Sequence, residues 1–266
     1  MIGESLRLVN SLIESLIMEV HHHAHTEGKK WTHYLWEFIM LFLAVFCGFL
    51  AENFREHRVE LQREKQFMKS LLFDLRSDTA QLSSLQKLRD ARIKQLDTLL
   101  VLLKSPQLKE NTSAFYFNAV LSQYGTKFLP QNGALSQLKN AGGLRLIRKA
   151  SIVDSILHFD IQAQDIVDFE LWERERIVDQ TPYSRVIDGS IVEQNSKYIY
   201  PEYPYLYERA VGNPPLLSYD KYDLDQLYNR FQLQKRMHAV VITKMYGLNK
   251  TIVRLIGLLE TEYHLE

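Results

Sequence analysis

The chain has 266 residues, 46% of them hydrophobic, with 32 Lys and Arg balanced by 32 Asp and Glu. The length allows one or two domains, and the apolar share allows a real core. The zero net charge argues against a nucleic-acid binder, which needs clustered excess Lys and Arg. The single cysteine, Cys47, excludes a disulfide framework, and it excludes a cysteine-based zinc site or thiol nucleophile outside the apolar segment that contains it.

Residues 1–30 read as a leader. The first 17 are weakly amphipathic, and Met18 offers a second start. His21, His22, His23 and His25 form a dense cluster. Neutral imidazoles bind zinc, copper or nickel, so the cluster is a weak metal-site candidate. Adjacent histidines on a tail impose no fixed geometry, and a solvated tail is the plainer reading. No resident cofactor is expected.

Residues 31–51, WTHYLWEFIMLFLAVFCGFLA, read as a transmembrane helix. At about 1.5 Å per residue they span roughly 31 Å, the thickness of a bilayer's hydrocarbon core. Trp31, Tyr34 and Trp36 cluster at one end, as in an aromatic belt. The apolar run is too long and starts too late for a cleaved signal peptide. Glu37, Leu41, Ala44, Gly48 and Ala51 recur at steps of three and four and therefore line one face. Ala44 and Gly48 form a small-xxx-small pair that lets two backbones approach closely, which nominates Glu37, Ala44, Gly48 and Ala51 as a homo-oligomer face. Alternatively, Glu37 snorkels to the interface. Topology stays open. Arg55, Arg58, Arg63 and Lys65 outnumber Lys29 and Lys30 and favour a cytoplasmic C-terminal domain, whereas Lys29 and Lys30 directly before the span suit a signal anchor that exports it.

Residues 52–266 read as a helical domain. No proline occurs before Pro106, and Met68, Leu72, Leu75, Leu82, Leu85, Leu96, Leu99 and Leu103 mark an apolar stripe, so one long helix is predicted to leave the bilayer and break near Pro106. Shorter helices are predicted over Ser113–Tyr124, Ala134–Ala141 (ended by Gly142 and Gly143) and from Ser151 to about Asp179. Glu170, Glu173 and Glu175 on the last of these, interleaved with arginines, read as a salt-laced surface. Arg145 and Arg148 beside the glycine pair are a possible anion-binding site, or simply exposed arginines around a capped turn.

Residues 181–222 change character: they are rich in tyrosine and proline, and proline at that density blocks regular helix. Tyr198, Tyr200, Tyr203, Tyr205 and Tyr207 form a possible partner surface, or pin an irregular segment onto the bundle. The final helix is the clearest element. Asp223 and Gln226 have capping-box spacing. Leu224, Leu227, Phe231, Gln234, His238, Val241, Met245, Leu248, Ile252, Leu255 and Leu259 then form a seam for a bundle or coiled coil. His238 on that seam reads as a core histidine.

The fold predicted is mainly α: one transmembrane helix continuing into an antiparallel helical bundle, with an irregular Tyr/Pro-rich segment before the last helix. The segment KKWTHYLWEFIMLFLAVFCGFLAEN with its histidine leader, followed by REHRVELQREK, and the later LSQLKNAGGLRLIRKASIVDSI, resemble a family of uncharacterised single-pass membrane proteins of Bacteroidota. The resemblance implies a bacterial inner-membrane setting and transfers no catalytic residue. Phosphate loops, zincin motifs and nucleophile elbows are missing from the sequence. The expectation is therefore a non-enzymatic, oligomeric, membrane-anchored interaction or scaffold protein with an unknown protein partner. A sensory or small-ligand-binding module is the alternative.

Overall fold

The computed structural model describes residues 31–123, 125, 127–140, 142–176, 179–199 and 203–265. The chain falls into two compact units, one up to Arg58 and one from Val59 onward. Helix α1, Trp31–Lys104, is continuous over 74 residues and ends two residues before Pro106. That stop follows from the clash of a proline ring with helical backbone ahead of it.

In the first unit every residue of α1 from Trp31 to Arg58 is exposed except Ile39, which is half-buried. Phe38, Phe42 and Phe46, one turn apart, stack with ring centroids 6.3 and 5.9 Å apart. This segment is long and apolar enough to cross a membrane, and none of its most apolar window is buried.

In the second unit the stripe predicted on α1, Met68 through Leu103, is buried throughout. After a 3-10 turn at Leu108–Glu110 come α2, Thr112–Ser122, and α3, Gly133–Asn140. Gly142 then adopts φ +66°, which favours glycine, and a Cβ on Gly143 would lie 3.1 Å from the Leu138 Cα. Each glycine of the pair thus has its own reason to be there. A second 3-10 turn, Gly143–Leu146, leads into α4, Ala150–Arg176.

The Tyr/Pro-rich stretch is more ordered than its composition suggests. It contains two short helices, α5 (Thr181–Ser184) and α6 (Gly189–Gln194), and an antiparallel hairpin of β1 (Ser196–Ile199) and β2 (Tyr203–Tyr207). Ser196 faces Tyr207, Lys197 faces Leu206 and Ile199 faces Tyr203, with a register shift between Lys197 and Ile199. Pro182 is tolerated because it falls in the first turn of α5, where its missing N–H would have no partner. Helix α7 covers Lys221–Tyr263. Its cap is Asp220, which accepts the Tyr222 N–H at 2.8 Å, so the helix starts ahead of the predicted Asp223 cap. Asp223 instead accepts the Ser218 hydroxyl at 2.7 Å.

Three long elements make the bundle. Glu64 meets Tyr263, Arg89 meets His238, and Lys104 meets Asp225, so α7 runs antiparallel to α1. Arg148, just before α4, donates its backbone N–H to Glu64, and Arg89 meets Glu170 and Glu173, so α4 runs parallel to α1. Two hydrophobic cores fill this frame. One gathers Met68 to Leu85 of α1 with α3, most of α4, and Val241 to Leu259 of α7. The other gathers Leu96 to Leu103 with α2, Val186, Ile187, Tyr207 and the start of α7. Neither core includes the α1 turns between Leu85 and Leu96.

Candidate functional site

The turns between the two cores carry a polar belt. Arg89 of α1 is 1% exposed. Its two terminal nitrogens make four contacts. Nη1 donates to Glu173 Oε1 at 3.1 Å and to His238 Nδ1 at 2.8 Å; Nη2 donates to Glu173 Oε2 and Glu170 Oε1, both at 3.0 Å. Glu173 is therefore held bidentately, the strongest geometry available to a guanidinium. Glu170 uses its other oxygen to accept the Phe128 N–H at 2.8 Å. Gln234, one turn before His238 on α7, donates to the Ser122 carbonyl at 2.6 Å.

This arrangement fixes the chemistry of His238. A guanidinium has no acceptor, so Nδ1 accepts and the ring is neutral with its proton on Nε2. Burial, then the charges of Arg89 and Arg92, pull its pKa from the ordinary 6.5 down to about 3. Burial also raises the Glu170 carboxyl, against the opposing pull of the Phe128 N–H and Arg89. Glu170 and Glu173 are thus not the salt-laced surface that their neighbours suggested. They continue the inward row Ile156, Phe159, Ala163, Ile166 at steps of four and three, whereas Glu175 lies off that row and is exposed.

A second set of carboxylates and amides on α1 grips the segment Phe128–Ala134, which leads into the first turn of α3. Gln81 accepts the Leu129 N–H at 2.7 Å and donates to the Leu129 carbonyl at 3.1 Å. Asp78 accepts the Gln131 N–H at 2.9 Å, and Asp74 accepts the Ala134 N–H at 3.0 Å. Asp78 is fully buried. Burial pushes its carboxyl from 3.8 up to about 6; the Gln131 N–H opposes that rise and Asp74 adds to it.

The residues nominated from sequence fare differently. Glu37, Ala44, Gly48 and Ala51 are all exposed on α1, and nothing stands within 4 Å of where a Gly48 Cβ would be. Arg145 and Arg148 are exposed on the turn before α4; Glu64 receives the Arg148 N–H at 3.4 Å and the Tyr263 hydroxyl at 2.6 Å. Tyr207 is buried and packs on Phe117, with centroids 6.3 Å apart, so it belongs to the core and not to a partner surface. Its β-strand position turns it onto α2, which is why an exposed reading fails. Tyr200 and the side chains of Tyr198, Tyr203 and Tyr205 lie outside the described residues, as do His21, His22, His23 and His25. The pinning of the following loop is done elsewhere: Tyr116 donates to the Pro215 carbonyl at 2.9 Å and Ser113 to that of Ala210 at 2.6 Å.

Sequence reading overlooked Arg89, Gln86 and Asp78, although each sits on the apolar stripe of α1. The signal was a polar residue at a seam position in all three long helices. Among the described residues, no group of three or more His, Cys, Asp or Glu side chains is placed to hold a metal ion. No family model matches the chain, and neither a curated protein nor a solved structure matches it.

Proposed function

We propose that this chain is a single-pass membrane protein of the bacterial cytoplasmic membrane, self-associating through its span, whose helical domain serves as an interaction scaffold. One observation carries the reading. The α7 seam from Leu227 to Leu259 is buried within the domain, yet from Trp31 to Phe54 every residue but the half-buried Ile39 is exposed. Apolar surface on that scale is covered by lipid or by another chain. Ala44, Gly48 and Ala51 give a second copy a face on which backbones can approach. The resemblance to Bacteroidota membrane proteins supports the bacterial setting. The acid–base groups most densely gathered, those around Arg89, are engaged with one another beneath the surface, which favours an architectural role over catalysis.

Alkaline carbonate washing of membranes from expressing cells tests the anchor. The chain should stay in the pellet, and release into the wash would end the reading. Gly48→Leu tests the self-association: it should shift the oligomer to monomer in mild detergent. An unchanged oligomer would remove this face from the proposal.

A further inference from the structure

The belt around Arg89 leaves four polar atoms with no hydrogen-bond partner from the described protein: Gln86 Nε2, Arg89 Nε, Gln234 Oε1 and His238 Nε2. All four residues are more than nine-tenths buried. Gln86 stands one turn before Arg89 on α1 and Gln234 one turn before His238 on α7; because the two helices run antiparallel, the glutamines flank the Arg89–His238 contact on opposite sides. Buried polar groups almost always find a partner, because an unmet one costs about 1–3 kcal/mol.

The identity of the missing partner follows from donor and acceptor roles. Nδ1 of His238 accepts, so Nε2 carries a hydrogen. The Gln234 amide donates to the Ser122 carbonyl through Nε2, so Oε1 is an acceptor. Arg89 Nε and Gln86 Nε2 are donors. The layer therefore presents three donors and one acceptor. A cation meets none of the donors and is repelled by the guanidinium. An anion cannot satisfy Gln234 and is repelled by Glu170 and Glu173. Water both donates and accepts, carries no charge, and typically makes about three bonds at such sites.

We propose that this layer is internally hydrated, with buried waters on either side of the Arg89–His238 contact meeting Gln86, Arg89, Gln234 and His238 and bridging α1 to α7. The two hydrophobic cores on either side then enclose a wet layer.

The test uses the full chain in lipid bilayers with ¹⁵N-labelled histidine, read by proton-detected NMR. His238 should show hydrogen on Nε2 only and should receive magnetisation from a water that does not exchange freely with bulk. In Gln86→Leu/Gln234→Leu that transfer should weaken while the His238 signal persists. Three outcomes overturn the proposal: hydrogen on Nδ1, no transfer from water in the wild-type chain, or transfer from a bound organic molecule in place of water. Equal transfer in the double variant also overturns it. The wild-type spectrum decides the matter even where the variant fails to fold.

Discussion

Replacing Arg89 by methionine keeps an unbranched side chain in place and removes the guanidinium that the buried carboxylates of Glu170 and Glu173 share. Three carboxylate hydrogen bonds disappear, together with the donor to His238 Nδ1. Breaking a buried ion pair from one side costs roughly 3–5 kcal/mol, because the remaining charge has no compensation. Proton uptake limits that cost. A stranded glutamate can neutralise itself for ~1.4 kcal/mol per pH unit above its ordinary value near 4.3, which is about 4 kcal/mol at pH 7 and about 1 kcal/mol at pH 5. The sign is fixed: folded-state carboxyls raised by the loss of Arg89 make the variant weakest at high pH and relieve it as pH falls. The assay is urea unfolding of the full chain in detergent micelles, followed by Trp172 fluorescence in a background where Trp31 and Trp36 are phenylalanine; these three are the chain's tryptophans. Arg89→Met should lose 3–5 kcal/mol at pH 7 and distinctly less at pH 5, by the same argument. Adding Glu170→Gln and Glu173→Gln should recover a large part. A loss below ~1 kcal/mol at pH 7, or one that does not change with pH, would refute the idea that the belt is a desolvated ion cluster.

Asp78→Asn tests another buried carboxyl. Its folded pKa near 6 lies above the ordinary 3.8, so its contribution is fully present below 3.8 and is lost as pH rises through 6. The amide cannot ionise, so the variant should match the wild type at pH 4 and exceed it by about 1–3 kcal/mol above pH 6; parallel stability profiles would contradict this. Gly143→Ala should destabilise by about 1–2 kcal/mol, since its Cβ meets Leu138 backbone at 3.1 Å. Gly48→Ala, which meets nothing within 4 Å in one chain, should leave domain unfolding untouched in the same urea assay.

The long elements were legible because their signals are redundant. On α1 and α7 a step of three or four recurs over many turns, and every seam residue named on α7 is buried except Leu224, which is half-buried. The α7 start was misplaced because Asp220 and Asp223 both suit a cap, and only the backbone of Pro215–Asp220 decides between them. The hairpin was not legible. Its strands are short, their register shifts between Lys197 and Ile199, and pairing depends on a partner strand that composition does not reveal. The belt lay in plain view as Arg89, Glu170, Glu173, Gln234 and His238 at seam positions on separate helices. Each looked tolerable on its own helix, and only their meeting in space makes them one cluster.

The grip on Phe128–Ala134 constrains evolution in an uneven way. Four side chains (Glu170, Gln81, Asp78 and Asp74) receive the N–H groups of residues 128, 129, 131 and 134, and none of them reads a side chain of the segment. Pro130 falls at a position where no acceptor waits. The letters of FLPQNGA are therefore loosely specified by these bonds, while its length is not. One inserted residue would put every later N–H out of phase with its acceptor, stranding Asp78 in the core and loosening the approach to α3. Between the buried Phe128 and Ala134, substitutions should be common among relatives, and insertions should collect on either side of the segment.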